Sequence, residues 1–124
     1  MSDQISWWVE LAIKPGQLEN FQTLTREMVE ATRRERGVLS YQRFISDDGR
    51  IVHAFERYAD SIAAVEHLRT FERSFSIRFL QMVDRIRFTV FGDPDEELKS
   101  LLDSLGATYA KPFGGLGKAT PEND

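Results

Sequence analysis

His53 and His67 are the only imidazoles in the 124-residue chain, and it contains no cysteine. Proton transfer near neutral pH therefore falls first on one of them, because imidazole is the side chain that ordinarily titrates there. His67 sits in a stretch of helical apolar spacing with Phe71 and Phe75 close by in sequence, so it can face an otherwise apolar cavity. It reads as a general base or hydrogen-bond partner for a bound small molecule. It also reads as a half-buried polar residue that orients its helix against the strand bearing Glu56. His53 is in phase with Phe55 and Arg57 on that strand and is the weaker candidate.

Glu56 shares one side of the strand with Val52, Ala54 and Tyr58. A carboxylate there needs a partner, and His67 or an arginine would supply one. Glu56 reads as a structural anchor at the polar end of a substrate site more than as a catalytic acid. Trp7, Trp8, Tyr41, Phe71 and Phe75 are core residues by default, yet some must line any cavity between sheet and helices. An aromatic wall suits flat polycyclic or quinol-like molecules.

Other chemistries have less to stand on. The absence of cysteine excludes disulfides, thiolate metal sites and a thiol nucleophile. Two histidines and scattered carboxylates form no spaced ligand set, so no metal is expected. Gly114-Gly115-Leu116-Gly117 follows no strand and precedes no helix, and no flavin or nicotinamide fingerprint occurs. A site without a cofactor is therefore expected. A net charge of −4 argues against nucleic acid, because the Arg33-Arg34-Arg36 group is interrupted by Glu35 and preceded by Glu30. No apolar run approaches the roughly 20 residues of a membrane span, and no signal peptide is apparent, so a cytoplasmic protein is expected.

The elements that must position these residues follow from periodicity. Ile5 to Ile13 alternates as a strand and stops at Lys14-Pro15-Gly16. Leu18, Phe21, Leu24, Met28 and Ala31 then recur at helical spacing, with Gly37 expected to cap the helix. Val38–Ser46 and Ile51–Tyr58 read as strands joined by a hairpin at Asp47-Asp48-Gly49-Arg50. Asp60 is a suitable N-cap for a helix to about Leu68, with Ile62, Val65 and Leu68 inward, and a second helical stretch covers Glu72–Val83. Arg85–Phe91 is a fourth strand with Ile86, Phe88 and Val90 on one side. Asp93 and Pro94 predict another helix start, with Leu98, Leu101, Leu102 and Leu105 buried. Residues 107–113 read as an extended arm and 114–124 as a loose tail.

This order predicts an α+β ferredoxin-like βαββαβ domain, a four-stranded antiparallel sheet with helices on one face. Tryptophans on both faces of the first strand imply that something covers the second face, most simply a second copy of the chain.

Three segments then carry a resemblance. Val9–Phe21 resembles the first strand, K-P-G turn and helix of the antibiotic biosynthesis monooxygenase family of dimeric α/β barrels. Glu35-Arg36-Gly37-Val38-Leu39-Ser40-Tyr41 is similar to its E-x-G-x-x-x-Y entry to strand two. Phe55-Glu56-Arg57-Tyr58-Ala59-Asp60, with Ala64 and His67-Leu68, is similar to its F-E-x-Y-x-D…A…H-L element. The resemblance covers residues 5–91 and leaves 92–124 outside it. Residues 68–75 are a looser version of the family's H-x-x-S-x-H-F. The resemblance implies a cytoplasmic homodimer that oxidises a quinol, anthrone-like or other electron-rich phenol with dioxygen and no cofactor, with His67 as the pocket histidine, a hydrogen-bond partner or general base for the phenolic hydroxyl. It is equally compatible with a non-catalytic ligand-binding or stress-associated barrel. A haem-degrading branch of the same fold relies on a pocket Asn, Trp and His together, whereas Asn20 and Asn123 lie in a helix start and the tail.

Overall fold

Alternation along Ile5–Ile13, the first strand (β1), sets the layering. Ile5, Trp7, Val9 and Leu11 are buried, while Ser6, Trp8, Glu10 and Ala12 turn to the other face and are only half-buried. The computed structural model describes residues 3–118. After β1 come α1 (Leu18–Arg33), β2 (Val38–Ile45), β3 (Ile51–Tyr58), α2 (Ser61–Ser74), α3 (Ser76–Met82), β4 (Val83–Phe91), α4 (Glu96–Ser104) and β5 (Thr108–Ala110). The strands lie in the order β2-β3-β1-β4-β5, antiparallel except for the last pair.

The sheet thus has five strands and is mixed, not the expected four-stranded antiparallel sheet. A parallel neighbour needs a crossover, and α4 supplies it. Leu98 and Leu102 are fully buried on the helical side, and they bring the chain back so that Thr108–Ala110 pairs along Thr89–Phe91. Part of the expected arm is therefore a strand. Residues 111–118 are exposed and form no regular element; the rest of the expected tail lies outside the described residues.

Other expectations shift for local reasons. Asp95, not Asp93, caps α4, its carboxylate accepting from the Leu98 amide at 2.9 Å. Helix α1 ends at Arg33, and Gly37 is no left-handed cap. Its role is close approach: an added Cβ would meet the Ala63 Cβ at 2.3 Å. Helix α2 runs past Leu68 to Ser74 and breaks at Phe75, with Ala64, Val65 and His67 buried and Ile62 exposed. In β4, Glu10 pairs with Arg87 but Leu11 pairs with Arg85, which leaves Ile86 as the extra residue of a bulge. Ile86 therefore leaves the phase of Phe88 and Val90 and is 54% exposed, while Arg85 turns toward the helices. The Asp48 carboxylate accepts from the Ser46 hydroxyl and the Arg50 amide, and Gly49 takes φ +71°, which closes the β2–β3 hairpin.

Candidate functional site

Between the inner sheet face and α2 lies a cavity of about 50 Å³ bordered by Trp7, Tyr41, Arg43, Glu56, His67 and Phe71. Three elements supply the polar members. The pleat of β3 sends Glu56 inward beside Tyr58, and register places Tyr41 of β2 opposite Glu56. Arg43 comes from the same side of β2, two residues on. His67 reaches down from α2, where its helical spacing from Ala64 and Phe71 keeps it on the buried face.

Glu56 is the hub. Its Oε1 accepts from the Trp7 indole at 2.9 Å and from the Tyr58 hydroxyl in a short hydrogen bond, and its Oε2 accepts from Arg43 Nη2 at 2.6 Å. Burial alone would raise the Glu56 carboxyl, but Arg43, His67 and the Tyr58 hydrogen bond outweigh it and hold the carboxyl below its usual value. Burial, followed by the Glu56 charge, pushes the Tyr58 phenol well up. Burial also raises Tyr41 far enough to keep it a neutral phenol, against the opposing pull of Arg43. The Arg43 guanidinium lies 3.4 Å over the Tyr41 ring. Its Nη1 is the one buried side-chain nitrogen or oxygen among the described residues with no hydrogen-bond partner.

His67 sits between two carboxylates. Its Nδ1 lies 3.2 and 3.3 Å from the Glu35 oxygens, and its Nε2 lies 3.5 Å from Glu56 Oε1. The carboxylate can only accept, so Nδ1 is the donor toward Glu35. That leaves Nε2 on the Glu56 side of the cavity, the shorter contact having fixed the ring. Tyr41 packs edge-on at 5.4 Å and Tyr58 tilts at 5.2 Å.

Trp7, Tyr41, Glu56, His67 and Phe71 thus lie together around the cavity. Trp8 does not: it is on the other sheet face, donating to His53 Nδ1 at 3.1 Å and stacked on Phe55. Phe75 marks the α2–α3 junction with Arg78 over its ring, and Phe79 takes the wall position, touching Phe71 at 5.0 Å. Sequence reasoning missed Arg43 and Glu35. The demand that Glu56 be paired pointed to an arginine without saying which one. Glu35 stood in the motif preceding strand two but read as one charge among arginines. No cluster of three or more potential metal ligands occurs among the described residues.

Residues 7–73 match the profile of the antibiotic biosynthesis monooxygenase family. The chain belongs to that family. The matched span contains Trp7, Glu35, Tyr41, Arg43, Glu56, His67 and Phe71, and ends inside α2. Among solved structures, MupZ from Pseudomonas fluorescens superposes with a TM-score of 0.81 at 23% identity, over 94% of this chain and 96% of that one. A mutant of SnoaB, a cofactor-independent oxygenase from Streptomyces nogalater, gives 0.64 at 12% identity over 76% and 96%. Rv0793 from Mycobacterium tuberculosis gives 0.59 at 26% identity over 75% and 97%. No curated protein matches the chain. The α+β ferredoxin-like fold is shared with these proteins. Among the described residues, no helix is long and apolar enough to cross a membrane.

Proposed function

We propose that this family member is a cofactor-independent monooxygenase that oxidises a quinol, anthrone-like or other electron-rich phenolic molecule with dioxygen. The observation that carries the reading is the imidazole of His67, anchored at Nδ1 by Glu35 beside a cavity walled by Trp7, Tyr41 and Phe71. For an anthrone, His67 Nε2 takes a proton from the ring methylene and the carbanion gives its electrons to dioxygen. A carbon–oxygen bond forms and leaves a peroxide anion, which His67 reprotonates. Loss of water with the second methylene hydrogen breaks the O–O bond and leaves the ketone. One oxygen atom stays on carbon and the other departs as water. Arg43 Nη1, still free to donate, suits the oxygen that carries negative charge in the ionised substrate. The protein contributes deprotonation, orientation and dryness.

Oxygen uptake with a panel of hydroquinones and anthrones tests the reading. His67→Ala is expected to slow turnover by about 10² to 10⁴, with His53→Ala near wild type. Wild-type turnover by His67→Ala, or its failure to fold, makes the residue structural and sinks the proposal.

A second reading, a ligand-binding protein without catalysis, draws on the saturation of Glu56, which fits a polar network whose purpose is packing. Lack of oxygen uptake with every member of the panel, together with retained ligand binding, would favour it.

The assembly we infer is a cytoplasmic homodimer. In one chain the outer sheet face leaves Phe44 55%, Phe55 41% and Ile86 54% exposed around Trp8, and a second sheet packed face to face would bury them. Light scattering at micromolar concentration should give twice the 14.3 kDa chain mass.

A further inference from the structure

The cavity beside His67 has room for a few water molecules, whereas pockets that take small organic molecules run to roughly 300–1,000 Å³. A space of that scale lies next door. Between α2 and α4 runs a groove of about 490 Å³ whose apolar lining is Leu68, Phe71, Leu101 and Leu105, with charged Arg69, Glu72 and Arg73 also along it. Leu68, Phe71 and Leu105 also line the inner cavity, so these side chains are the partition between the two spaces. All three are half-buried on the helical side, at the edge of the core. The groove exists because α4 docks beside α2 through buried Leu98 and Leu102 and the Arg69–Glu97 ion pair at 2.7 Å. Its outer wall thus comes from the segment that lies beyond the family match.

We propose that the α2–α4 groove is the main binding site for the substrate. It seats the apolar body of an elongated molecule whose phenolic end passes between Leu68, Phe71 and Leu105 to reach His67 and Arg43. This rests on the preceding reading only for what happens at the inner end. Continuity fixes the occupant. A compact phenol would leave the groove empty, while a purely apolar chain would leave Arg43 Nη1 unpartnered, so the fitting ligand carries a hydroxylated ring at one end and a hydrocarbon body behind it.

Binding tests this without turnover. Phenol and 4-hexylphenol are titrated into the ¹⁵N-labelled full chain and amide shifts are followed. The hexyl compound should bind at least about tenfold more tightly, since two buried methylenes already exceed that factor. Its shifts should centre on Leu101, Ser104 and Leu105. Ser104→Trp, at an exposed position on the groove's edge, should erase the gain and leave phenol binding unchanged. Equal affinities for the two phenols, undiminished hexyl binding in Ser104→Trp, or shifts centred on the outer sheet face or the Lys14–Gly16 turn would overturn the proposal. Groove binding without oxygen uptake would leave this site standing and remove the oxygenase reading.

Discussion

Trp7 and Trp8 are neighbours in sequence and opposites in setting, and the two faces of the sheet differ as they do. Trp7 is 2% exposed, tilted 4.6 Å from Tyr58, and gives its indole proton to a buried carboxylate. Trp8 is half-buried, lies parallel to Phe55 at 5.8 Å, and gives its proton to His53. On the inner face, aromatic bulk is tied to charged and phenolic groups from three elements. On the outer face it is tied to ring stacking, and the charges Arg87 and Glu10 pair with each other at 3.2 Å. Low dielectric makes the first arrangement stronger per contact and far less tolerant of a missing member. The inner face fixes its polar groups in place, whereas the outer face leaves Phe44 and Phe55 exposed beside Trp8.

Substitution of each tryptophan probes the contrast most forcefully. Trp7→Ala should cost about 3–5 kcal/mol in denaturant unfolding, by cavity formation and by removal of a donor to Glu56. Trp8→Glu should leave the fold of a single chain nearly as stable while shifting scattering mass toward 14.3 kDa. Comparable unfolding losses at both sites would erase the distinction drawn here.

Acid sharpens it next. The folded-state pKa of Glu56 is depressed, so its contribution is complete above the unfolded value, near 4.3. That contribution fades as pH falls through the lower folded value, which strips Arg43 of its partner in the buried network. Wild-type stability should therefore drop steeply below about pH 4.3, and Glu56→Gln should be less stable at neutral pH but flatter across the acid range. Parallel curves for the two proteins would show that other carboxylates govern the acid limb. Asp48 and Asp103, also depressed by hydrogen bonding, are solvent-exposed and present in both proteins.

The difference between the faces also explains what was legible beforehand. Alternation in β1 and β3 showed that Trp7 opposes Trp8 and that Glu56 joins Tyr58, because a period of two needs only local sequence. It did not say which tryptophan is inside, since both are equally apolar. The bulge at Ile86 was invisible because Arg85–Phe91 alternates without a break, and only pairing with β1 reveals the extra residue. Strand β5 was hidden for a related reason: three residues carry no period, and their pairing depends on where α4 returns the chain. Phe75 was expected in the wall where Phe79 stands, because the α2–α3 break falls at Phe75 and rotates the second helix relative to the first. Arg43 became meaningful only when register set it on the same side as Glu56.

The smallest effect we expect comes from Glu35, and it separates positioning from packing within the inner face. Glu35 holds Nδ1 of His67 from outside the cavity wall, and its side chain keeps 21% exposure, so its loss takes the acceptor from a buried Nδ1 proton at a place water can reach. Glu35→Ala should therefore cost only about 1 kcal/mol in unfolding, the low end for a buried donor left without its partner. Catalysis should suffer more: without the anchor the ring divides between tautomers and orientations, and turnover of an accepted phenol should fall by about tenfold, roughly 1.4 kcal/mol of barrier, at nearly unchanged KM. ¹⁵N shifts of the imidazole supply the reading that packing alone would not move. At a pH where the ring is neutral, wild type should show the proton on Nδ1, Glu35→Gln should retain it through the amide oxygen, and Glu35→Ala should show a tautomer mixture. A neutral ring protonated at Nε2 in the wild type would mean that the cavity faces a donor instead of a base. The acid–base assignment of His67 would then have to be reversed, with Glu35 as acceptor for nothing that matters to the reaction.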